Sequence, residues 1–286
     1  MNNWITGVDI GGTHITVAMV NPEECTLLEN TLVRQTVYPN ESAAEIMAGW
    51  SAAIRACWKL AGLAQAKIGI AMPGPFDYEK GISLIKDLCK YDALYKLPVK
   101  ALLAEKLGST ETEIRMVNDA TAYLRGEMGM GSGKGAGQVL GITLGTGLGS
   151  ALFRNGNYED GDLYCFPFRD DLAEEYFSTR WFLKRYKEKK GYSLPGVKEL
   201  AELCETDTEA LECFYEFGEN LDLLIRSRYV PEIPTTIVIG GNIAKASSLF
   251  FPVLQEKLGP EFHIRKAVLG EKAALIGAAF LWAPTL

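Results

Sequence analysis

Trp4-Ile5-Thr6-Gly7-Val8-Asp9-Ile10-Gly11-Gly12-Thr13-His14-Ile15-Thr16-Val17-Ala18-Met19-Val20 decides how the rest of the chain is read. Trp4 to Asp9 is an apolar run of strand length, Gly11-Gly12-Thr13 a turn, and Ile15 to Val20 a second strand. The pattern returns much later as Val139 to Leu144, a Gly145-Thr146-Gly147 turn, and Leu148 to Phe153. Each stretch predicts a β-hairpin with glycine at its tip, where positive φ and close backbone approach are expected. One such hairpin carries no further meaning. Two, each opening a half-chain of mixed strands and helices, predict a duplicated α/β fold around a cleft.

The segments between fit that plan. Ser42 to Ala61 predicts a helix opened by a Ser42/Glu45 capping box and closed by Gly62, with Ile46, Trp50, Ile54, Cys57 and Leu60 on its buried face. Lys67 to Ala71 predicts a strand ending in the stiff loop Pro73-Gly74-Pro75. Val99 to Leu107 predicts a helix, Ile114 to Val117 a strand, and Ala120 to Glu127 a helix. Asp170 to Lys189 and Thr208 to Arg226 predict amphipathic helices, the second with Thr206 and Glu209 as its capping box. Thr235 to Ile239 predicts a buried strand running into Gly240-Gly241-Asn242, and Glu271 to Trp282 a closing helix.

Bulk composition narrows the classes. The 286 residues are 48% hydrophobic with a formal charge of −7, and no Lys/Arg-rich run could neutralise phosphates in series, which argues against a nucleic-acid binder. The longest apolar stretch, Val139 to Phe153, is interrupted by four glycines and is too short for a bilayer. Six cysteines, at 25, 57, 89, 165, 204 and 213, form no CxxC pair, so reduced thiols in a cytoplasmic protein are expected.

Two glycine clusters are easily misread. Gly145-x-Gly147-x-Gly149 lies between strands and lacks the strand-to-helix setting of a dinucleotide fingerprint. Gly129 to Lys134 fails as a P-loop, because Gly135 follows the lysine and Met128 stands where the first glycine belongs; a mobile surface loop is expected instead. Asp9 differs. A carboxylate at the end of a buried strand is costly without a partner, and Mg²⁺ or its bound water would supply one. The Gly11-Gly12-Thr13 and Gly145-Thr146-Gly147 tips can offer N–H and hydroxyl donors to a polyphosphate. Asn118-Asp119, read as residues alone, suits a strand-end turn or helix cap as well as it suits catalysis.

At this point a family resemblance enters. Asp9-Ile10-Gly11-Gly12-Thr13-His14-Ile15 resembles the first phosphate motif of the ROK family (repressors, open reading frames and kinases). Gly69 to Asp77 resembles its sugar-side loop, and Val117-Asn118-Asp119-Ala120-Thr121-Ala122 its Asn-Asp-Ala motif. Thr143 to Gly149 is similar to its second phosphate motif, Val238 to Ile243 to its adenosine-site loop, and Leu275 to Phe280 to its closing helix. The resemblance implies an ATP- and Mg²⁺-dependent, glucokinase-like hexose kinase on the two-lobed actin/hexokinase-like (ribonuclease H-like) fold. It implies Asp119 as general base, with Asn118, Gly74, Asp87, Asp162 and Glu174 on the sugar. Nucleotide contacts would come from Asp9, Gly11, Gly12, Thr13, Gly145, Thr146, Gly147, Gly240, Gly241 and Asn242, with Asp9 on the metal through water.

The chain also departs from the family. Asp162 and Cys165 replace the glutamate and histidine of the family's zinc segment, and the cysteine cluster is absent, so no structural zinc is expected. His14 and His263 are expected to be structural. Lys86-Asp87-Leu88-Cys89-Lys90-Tyr91 stands where members often show Asn-Leu and Gly-Trp; Asp87 would take the asparagine's role unless Lys90 pairs with it. The expected organisation is a lobe over 1–117, a second over 118–270, and a helix over 271–286 packing back on the first. Closure on sugar is expected, with a hinge near Val117-Asn118 and the start of the Glu271 helix. The expected partner is a small sugar, with neither nucleic acid nor membrane; a homodimer stays open. Two other readings stand beside the kinase. A repressor would need a DNA-binding segment ahead of Asp9, and a degenerate sugar- or nucleotide-binding module would explain the altered Asp162 and Cys165.

Overall fold

A computed structural model describes residues 3–88, 90–229 and 235–283, and divides the chain into two units, 1–131 with 271–286, and 132–270. In the first, β1 (Ile5–Ile10), β2 (His14–Asn21), β3 (Thr26–Thr36), β4 (Ile68–Met72) and β5 (Ile114–Asn118) form one sheet in the order β3-β2-β1-β4-β5. The β1-β2-β3 meander is antiparallel, whereas β4 and β5 run parallel to β1. In the second, β6 (Val139–Leu144), β7 (Leu148–Arg154), β8 (Asn157–Asp160), β9 (Thr235–Gly240) and β10 (Phe262–Lys266) repeat that order and those directions as β8-β7-β6-β9-β10. The internal echo therefore extends from the hairpins to whole sheets.

Helix α1 (Ala43–Ala61) begins at the predicted capping box. Ser42 N donates to Glu45 Oε2 at 3.0 Å, and Glu45 N donates to Ser42 Oγ at 3.4 Å. Ile46, Trp50, Ile54 and Cys57 are buried as expected, but Leu60 is exposed and Trp58 is buried in its stead. The indole explains the exchange, since Trp58 Nε1 donates to Thr6 Oγ1 at 2.7 Å. Helix α2 (Val99–Leu107) also covers this core and stops at the left-handed Gly108.

Helix α3 (Asp119–Met130) remains in the first unit, so the change of unit falls at Gly131–Ser132, one helix beyond Val117–Asn118. Its partner is α9 (Ala273–Ala279), which short 3₁₀ turns at 270–272 and 280–282 extend to the length expected of the closing helix. Contact between the two is backbone on backbone: a methyl group at Gly277 would stand 1.7 Å from Ala122 O. On the other side α9 lies against the sheet, where a methyl at Gly69 would stand 1.9 Å from Ala278 O. Gly69 therefore serves this packing, whereas the sequence had placed it with the sugar-side loop. Gly129 and Met130 form the last turn of α3, so the P-loop lookalike starts inside a helix; Gly129 is buried under Phe280.

The second unit has an aromatic core. Phe182 lies 4.7 Å from both Phe214 and Phe217, and Phe217 meets Phe177 at 5.6 Å and Phe250 at 5.2 Å. The expected helix over 170–189 is broken. Asp171–Leu172 pairs with Pro167–Phe168, then come α4 (Ala173–Tyr176), a turn through Phe177 and Ser178, and α5 (Thr179–Lys190). Two helices that the sequence did not single out follow at α6 (Val197–Leu203) and α8 (Phe251–Leu258). Between them runs α7 (Thr208–Arg228), whose cap is Asp207, accepting from Glu209 N at 3.0 Å, in place of the expected Thr206. Carboxylate beats hydroxyl here, because Asp207 is also held by Tyr186 Oη at 2.8 Å and Lys190 Nζ at 3.1 Å. Among the described residues no helix is long and apolar enough to cross a membrane.

Candidate active site

In the first unit the site forms at the carboxyl ends of β1, β4 and β5. Asp9 pairs with Thr16 on one side and Ala71 on the other. Its carboxyl has no hydrogen bond or ion pair among the described residues. Burial, then the Asp119 carboxylate, push Asp9 up to about 7; Arg34 opposes this and Glu271 adds to it. A carboxylate so placed, with a second acid close by and Arg34 already paired to Glu271, fits a divalent cation or its water. Among the described residues there is no group of three or more His, Cys, Asp or Glu that could hold a metal; Cys89 lies outside them.

Asp119 opens α3. Burial raises its pKa, while the Ala120 N–H and the nearby Lys90 oppose that rise. Asn118 caps the same helix, its Oδ1 accepting from Ala120 N at 2.8 Å and Thr121 N at 3.2 Å. Its Nδ2 donates to Tyr78 Oη at 3.3 Å, and that hydroxyl donates to Met72 O at 2.9 Å. Capping fixes the Asn118 oxygen, and the same Ala120 N–H also donates to Asp119 Oδ1 at 2.9 Å. Tyr78 links Asn118 to the Pro73-Gly74 loop, and a methyl at Gly74 would come within 3.3 Å of the same hydroxyl.

The hairpin tips correct one expectation. None of Gly11, Gly12, Gly145 and Gly147 has positive φ. At Gly145 a methyl would meet nothing within 4 Å, and at Gly12 only Lys90 Cδ at 3.9 Å. At Gly12 and Gly145, neither backbone conformation nor packing demands glycine, and the space beside each is open. Gly11 N donates to His14 O at 2.9 Å, and Tyr91 Oη donates to Gly11 O at 2.6 Å. Thr13 Oγ1 lies 3.0 Å from His14 Nδ1.

The second unit carries the other tip. Gly145 O accepts from Thr179 N at 2.8 Å and Thr179 Oγ1 at 3.0 Å, so the start of α5 braces the loop. Glu174 lies against this loop, with Leu148 N donating to its Oε2 at 3.2 Å; a methyl at Gly147 would sit 2.5 Å from that oxygen. Arg180 pairs with Glu174 at 3.4 Å and Glu175 at 2.7 Å. Gly241 has φ +86° and would place a methyl 2.3 Å from Leu144 O, so this glycine has a structural reason of its own. Gly240 ends β9 and Asn242 is exposed.

Asp87 and Asp162 are exposed, each with left-handed backbone. Asp87 pairs with Lys86 at 3.9 Å, not with Lys90. Asp162 O accepts from Cys165 Sγ at 3.4 Å, leaving its carboxylate toward solvent. Tyr78, Tyr91 and Arg180 are site neighbours that sequence reasoning missed, and Lys90, considered there only as a partner for Asp87, stands instead beside Gly12 and acts on Asp119. Apart from their nearness to the motifs, no pattern in the sequence marks them, since loops and a helix start bring them in.

Twice-repeated sheets of this order, with open glycine hairpins and acids at strand ends, define a duplicated α/β protein of the actin/hexokinase-like class. Within that class the chain belongs to the ROK family, whose model matches residues 5–163. It is 25% identical to the glucokinase of Thermotoga maritima, across 96% of each chain. Among solved structures, the ROK hexokinase of Thermus thermophilus superposes with TM-score 0.77 at 21% identity, covering 96% of both chains. The ROK family glucokinase of Streptomyces griseus, in complex with glucose and AMPPNP, gives TM-score 0.73 at 24% identity, covering 97% of this chain and 98% of that one.

Proposed function

We propose that this chain is an ATP-dependent hexose kinase that transfers the γ-phosphoryl group to a sugar hydroxyl. The observation that carries this reading is Asp119, a buried acid at a helix start, with Asp9 close by at the end of a glycine hairpin. In the reaction the sugar hydroxyl oxygen attacks the γ-phosphorus, the bond to the ADP oxygen breaks, and the Asp119 carboxylate takes the hydroxyl proton. Positioning dominates such transfers, so a carboxylate suffices as base. The Ala120 N–H at the helix start holds the Asp119 carboxylate, and Asn118 beside it can meet sugar hydroxyls. Asp9 would hold Mg²⁺ through water, and the cation, when bound, neutralises phosphate charge. Gly11 to Thr13 and Gly145 to Gly147 serve the phosphates, with Gly240, Gly241 and Asn242 on the adenosine. Gly74, Asp87, Asp162 and Glu174 serve the sugar. The glucokinase and hexokinase relatives support a hexose as acceptor.

A second reading is a binding module without turnover, favoured by Glu174 already held at the Leu148 N–H and by Arg180. An ADP-release assay over a hexose panel, with ATP and Mg²⁺, separates the two. Turnover of at least one hexose is expected; ATP binding with no turnover of any would leave the module.

A further inference from the structure

Lys90 has no part in the proposed transfer to the Asp119 base, and the structure gives it an unusual position. Asp87, the partner that the sequence offered as one alternative, pairs with Lys86 in solvent. Lys90 is half-buried and, among the described residues, makes no ion pair or hydrogen bond. Its stem would touch a methyl group built on Gly12, and its charge acts on Asp119. The next residue explains how it is delivered there. Tyr91 is fully buried, its ring edge-on to Trp50 at 5.5 Å. Its N–H donates to Pro39 O at 2.8 Å and its hydroxyl to Gly11 O at 2.6 Å, on a left-handed backbone with φ 59°. Tyr91 therefore ties this segment to the first hairpin tip and sets the preceding side chain beside Gly12. A half-buried ammonium with no hydrogen bond or ion pair among the described residues, set beside an open glycine tip, has donors to offer an anion arriving there.

We propose that Lys90 is a catalytic residue whose ammonium contacts the γ-phosphoryl group at the Gly11-Gly12-Thr13 tip during transfer. The proposal rests on the kinase reading for its turnover test and on nucleotide binding alone for its second test. A compact, mobile point charge suits a group whose oxygens move as the bond to ADP breaks. The stabilisation would be electrostatic and greatest at the transition state.

Two variants and two measurements test it. Lys90→Met should lower kcat about 10²-fold, the scale of one lost transition-state contact, while the KM for sugar stays within about threefold. By calorimetry, Lys90→Met should lose affinity for a non-hydrolysable ATP analogue by about tenfold and keep that for ADP, because ADP lacks the group contacted. Lys90→Arg should recover part of both losses, which a packing role would not predict. Unchanged kcat and unchanged analogue affinity in Lys90→Met would overturn the proposal, as would equal losses for analogue and ADP. If the wild-type chain binds nucleotide yet phosphorylates no hexose, the kinase reading falls. The analogue-to-ADP comparison then still decides whether Lys90 meets the γ-phosphate.

Discussion

The two hairpins share a register and differ in charge. Asp9 on β1 and Thr143 on β6 each stand one residue before the last pair of their hairpin, opposite Thr16 and Gly149. Behind the first tip are Asp119 and Lys90. The second tip is braced through its own backbone by Thr179, Glu174 and Arg180, with a neutral hydroxyl at the matching position. Duplication supplies one cradle twice, and substitution at a single register position separates the two. On the proposed function, both tips serve the phosphates and only the copy with an acid at this register position would serve the metal.

Glycine offers the widest contrast to test. Gly277→Val should cost roughly 3 kcal/mol or more, because its side chain meets the α3 backbone, which cannot give way as a flexible side chain would. A denaturant midpoint at the wild-type value would break the claim that α9 is held by backbone contact. Asp119→Asn comes next: turnover should fall roughly 10²-fold with sugar binding and fold retained. Near wild-type turnover would remove Asp119 from the mechanism.

Asp9→Asn sharpens the charge difference through pH. Folded Asp9 keeps its proton up to about 7, and the unfolded chain releases it near the ordinary carboxyl value. Between those values the folded state binds more protons, so stability falls as pH rises from about 4 to about 7. Without nucleotide or divalent metal, Asp9→Asn should therefore gain on the order of 2 kcal/mol above pH 8 and little near pH 4. Chemical denaturation at both pH values measures this, and an equal gain at both would sink the linkage. The smallest effect belongs to Gly12→Ala. Its melting temperature should stay near wild type, since the added methyl only touches Lys90, while ATP affinity drops about tenfold, near 1.4 kcal/mol. Unaltered ATP affinity would mean that the open space at the tip is not for phosphate.

Legibility followed locality. The hairpins, α1 with its capping box, and Asn118-Asp119 at a strand-to-helix join could be read because their signals lie within a few residues. Strand β3 could not: most of its residues are exposed, and its charged and polar side chains suit an edge strand without marking a period. Its placement depends on Thr31, whose hydroxyl accepts from Met19 N at 3.0 Å where the β2–β3 register shifts. In the candidate site, the strand-end placement of Asp9, Asn118 and Asp119 was legible, whereas that of Lys90 and Tyr91 was not. Their placement comes from Tyr91 reaching Gly11, a contact across eighty positions that no local pattern reports. The break at Phe177-Ser178 was hidden for a different reason, since the apolar spacing runs on across it.

The chain order of the first unit has a consequence for biosynthesis. Helix α9 seals β1, β4 and α3, yet the ribosome makes it only after all of residues 132–270. At usual elongation rates that interval is on the order of ten seconds, during which Gly7, Gly69 and Gly126 face no helix. The second unit, contiguous in sequence, can finish folding while the first waits. A transcript that stops before α9 would thus release a chain with one complete unit and one open sheet, an exposed surface of the kind that chaperones and proteases act on. Asp9 and Asp119 belong to the unfinished part, so a nascent chain would complete the proposed site last.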